Sequence, residues 1–155
     1  MKEIGYNEFL SMLYNGYNTK YHTLLNRRDT LNEARKYRGE GKAKSATVEA
    51  LKIILEDFID AYEDEIVEIE MSLKSIHKII SDGAPVAVDI FLRKYFELCG
   101  DLLACDIDEL EKMYVISEEL ECREYQLATL GYPITGAYGV FIGELEKDLP
   151  EEVEE

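Results

Sequence analysis

Few residues in this sequence have the chemistry to cut, join or ligate. Cys99, Cys105 and Cys122 supply three thiols, and His22 and His77 supply two imidazoles. Three thiolates with His77 or an acid as fourth ligand would suit a tetrahedral zinc ion, whose ligands all lie within about 2.3 Å of the metal. The spacing argues against that site. If 107–130 is one helix, Cys105 and Cys122 stand roughly 25 Å apart along its axis at 1.5 Å per residue, and one ion cannot bridge them. Neither histidine has a glutamate three residues before it, so the Glu-x-x-His signature of di-iron bundles is missing. His-Glu-x-x-His does not occur either.

The loop Gly39-Glu40-Gly41-Lys42 lacks the Gly-x-x-x-x-Gly-Lys-Ser/Thr spacing of a phosphate cradle, and it follows a helical pattern where a cradle follows a strand. The glycines from Gly131 to Gly143 do not match a dinucleotide fingerprint. Carboxylate pairs are too frequent to single one out as an acid–base couple. The expectation is a protein that is not an enzyme, with no cofactor and no metal.

The chemistry that remains is electrostatic. Thirty-three acids oppose 17 bases, for a net charge of −16. Such a field repels nucleic acid and anionic membranes and attracts basic partners. The charge is uneven. Residues 20–52 hold nine bases and four acids (+5), whereas residues 53–155 hold 27 acids and seven bases (−20). One reading is internal neutralisation of the acidic part by the basic part; the other is a surface for a basic partner.

Stepping along the chain locates that surface. Val48, Leu51, Leu55, Phe58, Tyr62, Ile66, Ile69, Leu73, Ile76 and Ile80 recur by threes and fours, which predicts one long helix over 46–81 with a single apolar seam. At 1.5 Å per residue it is about 54 Å long. With Tyr62 at the centre of the seam, Glu56, Asp57, Asp60, Glu63, Asp64 and Glu68 fall about 100° to 160° away at 100° per residue. They form an acidic face with no base between Ile53 and Leu73. Ile53 and Val67 point outward among these acids. A plain solvated face explains the charges but not the two aliphatics, which suit a covering helix or a docked partner. The eight residues are the candidate partner-binding site.

The other elements frame this helix. Residues 7–38 predict a first helix weakened at Gly16, followed by a polar loop to Lys44 and a candidate N-cap at Ser45. Asp82-Gly83 ends the long helix. Pro85 opens a third helix, expected to be the most buried, that runs to Cys99 with Gly100 as its cap. A capping-box pattern at Asp106-Ile107-Asp108-Glu109 starts a fourth, over 107–130, with Leu110, Met113, Leu120, Leu127 and Leu130 inward. Gly131 and Pro133 stop it, and a short helix follows Thr135. The fold expected is all-α: a single-domain bundle of four to five helices over 1–149 with one long central helix, and a disordered acidic tail at 150–155.

An odd cysteine count with irregular spacing is a poor disulfide framework, which fits a reducing compartment and cysteines packed as small hydrophobes. No run of about 18 apolar residues predicts a membrane span, and the first residues lack the apolar core of a secretion signal. The expected location is cytoplasmic. Small acidic helical proteins without catalytic residues include nucleic-acid mimics, such as anti-restriction and anti-CRISPR inhibitors, which are often phage-encoded. By analogy of charge alone, the function expected is binding and inhibiting a basic, nucleic-acid-handling enzyme by occupying its nucleic-acid surface, with no direct nucleic-acid binding and no membrane contact. The alternative is a structural or regulatory subunit of a helical assembly, or a homodimer, with the long helix as the oligomer seam.

Overall fold

A computed structural model describes residues 3–36 and 45–148. The described residues form an all-α bundle of five helices: α1 (Tyr6–Lys36), α2 (Ser45–Asp82), α3 (Val86–Leu103), α4 (Leu110–Thr129) and α5 (Ala137–Asp148). No strand forms among the described residues. The polar loop over 38–44, the side chain of Val48 and the acidic tail at 150–155 lie outside the described residues.

α1 and α2 pack along each other as a long antiparallel pair, α3 pairs with α4, and α5 lies against α1. Phe9, Leu13 and Tyr17 of α1, Ile76 of α2, Leu92 and Tyr95 of α3 and Leu127 of α4 are all fully enclosed in one apolar core. Rings lock the N-terminal end: Phe9 stands edge-on to Phe141, their centroids 4.9 Å apart, and is tilted on Phe96 at 5.0 Å. Such pairs add about 0.5–1.5 kcal/mol beyond the area they bury.

Gly16 neither kinks nor breaks α1. It lies where α5 crosses, and a Cβ there would collide with Val140 Cγ1 and come within 3.1 Å of Glu144 Cγ. The missing side chain is what lets the two helices approach. Gly83 and Gly131 end α2 and α4 at φ +82° and +87°, a left-handed backbone that side-chain-bearing residues resist.

The end of α3 and the start of α4 differ from expectation. Gly100 is not a cap: α3 continues through it to Leu103. Among the described residues α3 does have the largest buried share, with Val88, Leu92, Tyr95, Leu98 and Cys99 on its inner side, while Val86 and Ile90 face outward. α4 starts three residues later than expected, at Leu110, and the capping-box geometry is only half made: the Glu109 carboxylate accepts the Asp106 N–H at 3.0 Å, but no side chain caps the first turn. Leu110 and Leu130 consequently face outward, and Ile116 takes an inner place beside Leu120 and Leu127.

The largest correction concerns the seam of α2. Leu51, Phe58 and Ile80 are about half exposed, whereas Ile59, Ser72, Ser75 and Ile79 are buried. The buried side of the helix swings as its neighbours change. Near Ile76 it meets α1 and the turn before α5, whose Thr135 N–H bonds Ser72, but toward its start it meets only α1 among the described residues. No described residue of α1 beyond Leu24, or of α2 before Ile59, is buried. The last 12 residues of α1 and the facing part of α2 thus form an arm that projects about 18 Å from the body at 1.5 Å per residue.

Candidate functional site

α2 carries the acidic face from the body out onto this arm. Ile53, Glu56, Asp57, Asp60, Glu63, Asp64, Val67 and Glu68 are all exposed. Ile53 is 60% and Val67 56% exposed, so the aliphatics are not hidden under another helix. Met71, at 51%, extends the same side and was not singled out by charge pattern because it lies past the acids. Ile53 to Met71 spans about 27 Å of helix at 1.5 Å per residue.

The run between Ile53 and Leu73 contains two further acids, and they behave differently. Glu65 pairs with Lys20 of α1 at 3.6 Å, and Glu70 with Lys74 at 3.1 Å. The six acids of the face form no ion pair among the described residues, although their helix is bordered by a basic segment. Asp60 and Glu63 do share a shallow groove with Arg35 and Lys36 of α1, beside Asp29 and Glu33. At that edge the acids lie near bases of α1 without pairing, while Glu56, Asp57, Asp64 and Glu68 are exposed.

Polar chemistry inside the body is committed to structure. Glu124 of α4 accepts from the Gly136 N–H at 2.7 Å and from the Tyr95 hydroxyl at 3.2 Å. Tyr95 Oη in turn accepts the Tyr138 N–H at 2.8 Å. Tyr17 donates to the Thr135 carbonyl at 2.9 Å, and the Thr135 N–H donates to Ser72 Oγ at 3.0 Å. Together these bonds fasten the turn before α5 onto α1, α2, α3 and α4. Burial raises the Glu124 carboxyl above the usual range, against the lowering effect of its two donors. Burial, with the nearby Glu124 charge, also raises the Tyr17 and Tyr95 hydroxyls far above their ordinary values. Hydroxyls that hold their protons so firmly are poor acids and stay un-ionised near neutral pH.

The thiols divide by depth. Cys99 is enclosed, and burial beside Glu124 pushes it up to about 12, the opposite of an activated nucleophile. Cys105 is partly covered and donates to the Asp101 carbonyl at 3.3 Å, while Cys122 is exposed on α4. The structure does not bring the three together, and among the described residues no group of three or more His, Cys, Asp or Glu side chains could hold a metal ion. His22 and His77 are exposed beside Tyr21 and Tyr14 respectively. Among the described residues, no helix is long and apolar enough to cross a membrane.

Sequence periodicity missed one feature of the arm. Leu51, Ile54 and Phe58 form an exposed apolar strip on α2, to one side of the acidic face. Leu51 and Phe58 fitted the seam, and nothing in the spacing reveals that the neighbouring helices stop short of them. No protein-family model, curated protein or solved structure matches the chain.

Proposed function

We propose that this chain is a non-enzymatic acidic binding protein that occupies the basic nucleic-acid-binding surface of a partner enzyme, in the manner of anti-restriction and anti-CRISPR mimics. One observation carries the reading: six exposed carboxylates on one side of α2, unpaired among the described residues, run from the body out onto the arm. From Glu56 to Glu68 the helix rises about 18 Å at 1.5 Å per residue. Six charges over that length average one per about 3.6 Å, close to the roughly 3.4 Å per phosphate along one DNA strand. A cleft built to neutralise phosphates meets a similar linear charge density on this helix.

Rigidity favours the same reading. Carboxylates on a helix are held in place by the backbone, so ordering them on binding costs less than ordering a flexible acidic segment. Ile53 and Val67 add apolar contact, which rejects partners that offer charge alone. The net charge of −16 speeds encounter with a basic surface and disfavours nucleic acid itself as a ligand. Such partners work in the cytoplasm, where we place the chain.

Salt and competitor provide the test. A partner captured from host lysate on the immobilised chain should be a basic nucleic-acid-binding protein. Its affinity should fall by tenfold or more between about 50 and 200 mM salt, as expected for contacts that replace phosphates. DNA or RNA should displace it. A captured protein that is indifferent to both salt and nucleic acid would overturn the reading.

A further inference from the structure

The acids on the open side of α2 are sorted by length. Asp57, Asp60 and Asp64 lie on one line with Ile53, Val67 and Met71, and all six residues are exposed. Their spacing along the helix is 4, 3, 4, 3 and 4 residues. At 100° per residue they stay within about 40° of a common line on the side opposite Tyr62. Glu56 and Glu63 stand about 60° to 80° to one side of this line, and Glu68 about 60° to the other. Short acids therefore occupy the line, and long acids its flanks.

That order has a cost within the chain. Aspartate is a poorer helix former than glutamate, because its short side chain competes for backbone hydrogen bonds. Asp57, Asp60 and Asp64 also repel one another at separations of three and four residues. None of them forms an ion pair among the described residues, although Glu65 and Glu70 on the same helix do. Glutamates on the line would carry the same charge with less loss of helix. What aspartate allows is close approach. The alternation of four and three is the spacing at which one helix packs along another, with axes about 8–10 Å apart. Side chains on such a contact line are short or apolar, while flanking charges reach around the second helix and pair with it.

We propose that this line of α2 receives one α-helix of the basic partner, whose docking side is basic in the middle and apolar at both ends. This rests on the reading of the acidic face as the partner's site and names the element that fills it. From Ile53 to Met71 the line rises about 27 Å, or about five turns. Arginine or lysine at the centre of the partner helix pairs with Asp57, Asp60 and Asp64. Aliphatic residues pack on Ile53 at one end and on Val67 and Met71 at the other. Many proteins read the DNA major groove with a single helix, and a helix that faces phosphates carries the cations this line demands. Charge excludes the occupants that this chain itself offers. A second α2 on the line sets aspartate against aspartate in either direction. α1 carries Arg27, Arg28, Arg35 and Lys36, but no described helix places three successive bases at this spacing.

Synthetic peptides titrated against the full chain at physiological salt test the fit. The first is an alanine-based helical peptide with leucines at both ends of one side and three arginines between them. The second has the same composition, with leucines and arginines dispersed around the helix. The third is the first with a central proline, which breaks the helix. The first should bind one to one, about tenfold or more tighter than either control. Asp57→Glu, Asp60→Glu and Asp64→Glu together keep every charge and should keep or raise the melting temperature. They should nevertheless weaken the first peptide about tenfold or more and leave the proline peptide unaffected. Ile53→Ser with Val67→Ser should weaken the first peptide similarly, with unchanged helical circular dichroism because both residues are exposed. Equal binding of the three peptides, or a glutamate variant that binds the first like wild type, would overturn the helical occupant. So would interchain cross-linking through Asp60→Cys, in a Cys122→Ser background, that exceeds cross-linking through Glu118→Cys on α4, since it would put a second copy on the line. The wider reading fails separately, when a captured partner ignores both salt and nucleic acid. A glutamate variant that still captures a nucleic-acid-displaceable partner like wild type leaves that reading standing and removes the helix.

Discussion

Ile76 and Ile54 are the same residue on the same helix. The first is completely enclosed, and the second is half exposed. Around Ile76 the helix is surrounded by α1, the turn before α5 and the rest of the core, and even its serines are bonded: Ser72 donates to the Glu68 carbonyl and Ser75 to the Met71 carbonyl, both at 3.0 Å. Around Ile54 the helix has one neighbour among the described residues, α1. Helices of this length persist in water mainly because an apolar side is packed. The arm holds its shape through continuity with the body and the α1–α2 pairing. Its uncovered apolar and acidic sides add nothing to that, which is why they are the natural place for intermolecular contact. On the proposed reading the body supplies stability and the acidic side of α2 supplies contact.

Truncation should separate the two regions most strongly. Leu13→Ala, in the enclosed core, should cost about 2–5 kcal/mol in a denaturant titration, from lost burial plus a cavity. Ile54→Ala should cost under about 1 kcal/mol in the monomer. Comparable losses would mean that the arm is as packed as the body.

A smaller effect follows at the crossing of α1 and α5. Gly16→Ala drives a methyl into Val140 and should cost about 1–3 kcal/mol by overpacking. Val140→Ala in the same chain should recover most of that loss. Failure of the second substitution to rescue the first would show that α5 is not seated by this contact.

The next effect is one of pH. The folded-state pKa of Glu124 is raised, so the folded chain holds that proton more tightly than the unfolded one. Its stabilising contribution is therefore full below the ordinary carboxyl range and is lost as pH rises through the raised value. Glu124→Gln keeps a group that can bond Gly136 and Tyr95 but carries no charge. Its stability relative to wild type should rise between pH 4 and pH 8, by on the order of 1 kcal/mol. Parallel stability curves across that range would remove the buried carboxylate from the account.

Much of this was legible in the sequence, and what was not has a physical cause. Helical periodicity, Pro85 and the glycines at positions 83 and 131 locate five helices, because caps and breakers are local. The outward position of Ile53 and Val67 also follows from geometry along one helix. Which side of α2 is buried at each level does not, because it depends on where α5 and the turn before it end in space. That is why Leu51 and Phe58 fit a seam on paper yet lie open, and why Ser72, polar and unpromising, proves to anchor Thr135. The Glu124–Tyr95–Tyr138 bonds join residues from three helices and carry no local signature at all.

The division between body and arm is tested most directly by reversing Asp57, Asp60 and Asp64 to lysine together. All three are exposed and form no ion pair among the described residues, and reversal reduces self-repulsion in a chain of charge −16. Thermal melting should be unchanged or slightly raised, since exposed substitutions usually move stability by no more than about 0.5 kcal/mol each. Capture of the basic, nucleic-acid-displaceable partner should be abolished at the same concentration at which wild type captures it. A triple variant that melts like wild type and still captures that partner would contradict the account, leaving the acidic side of α2 as solvated surface only.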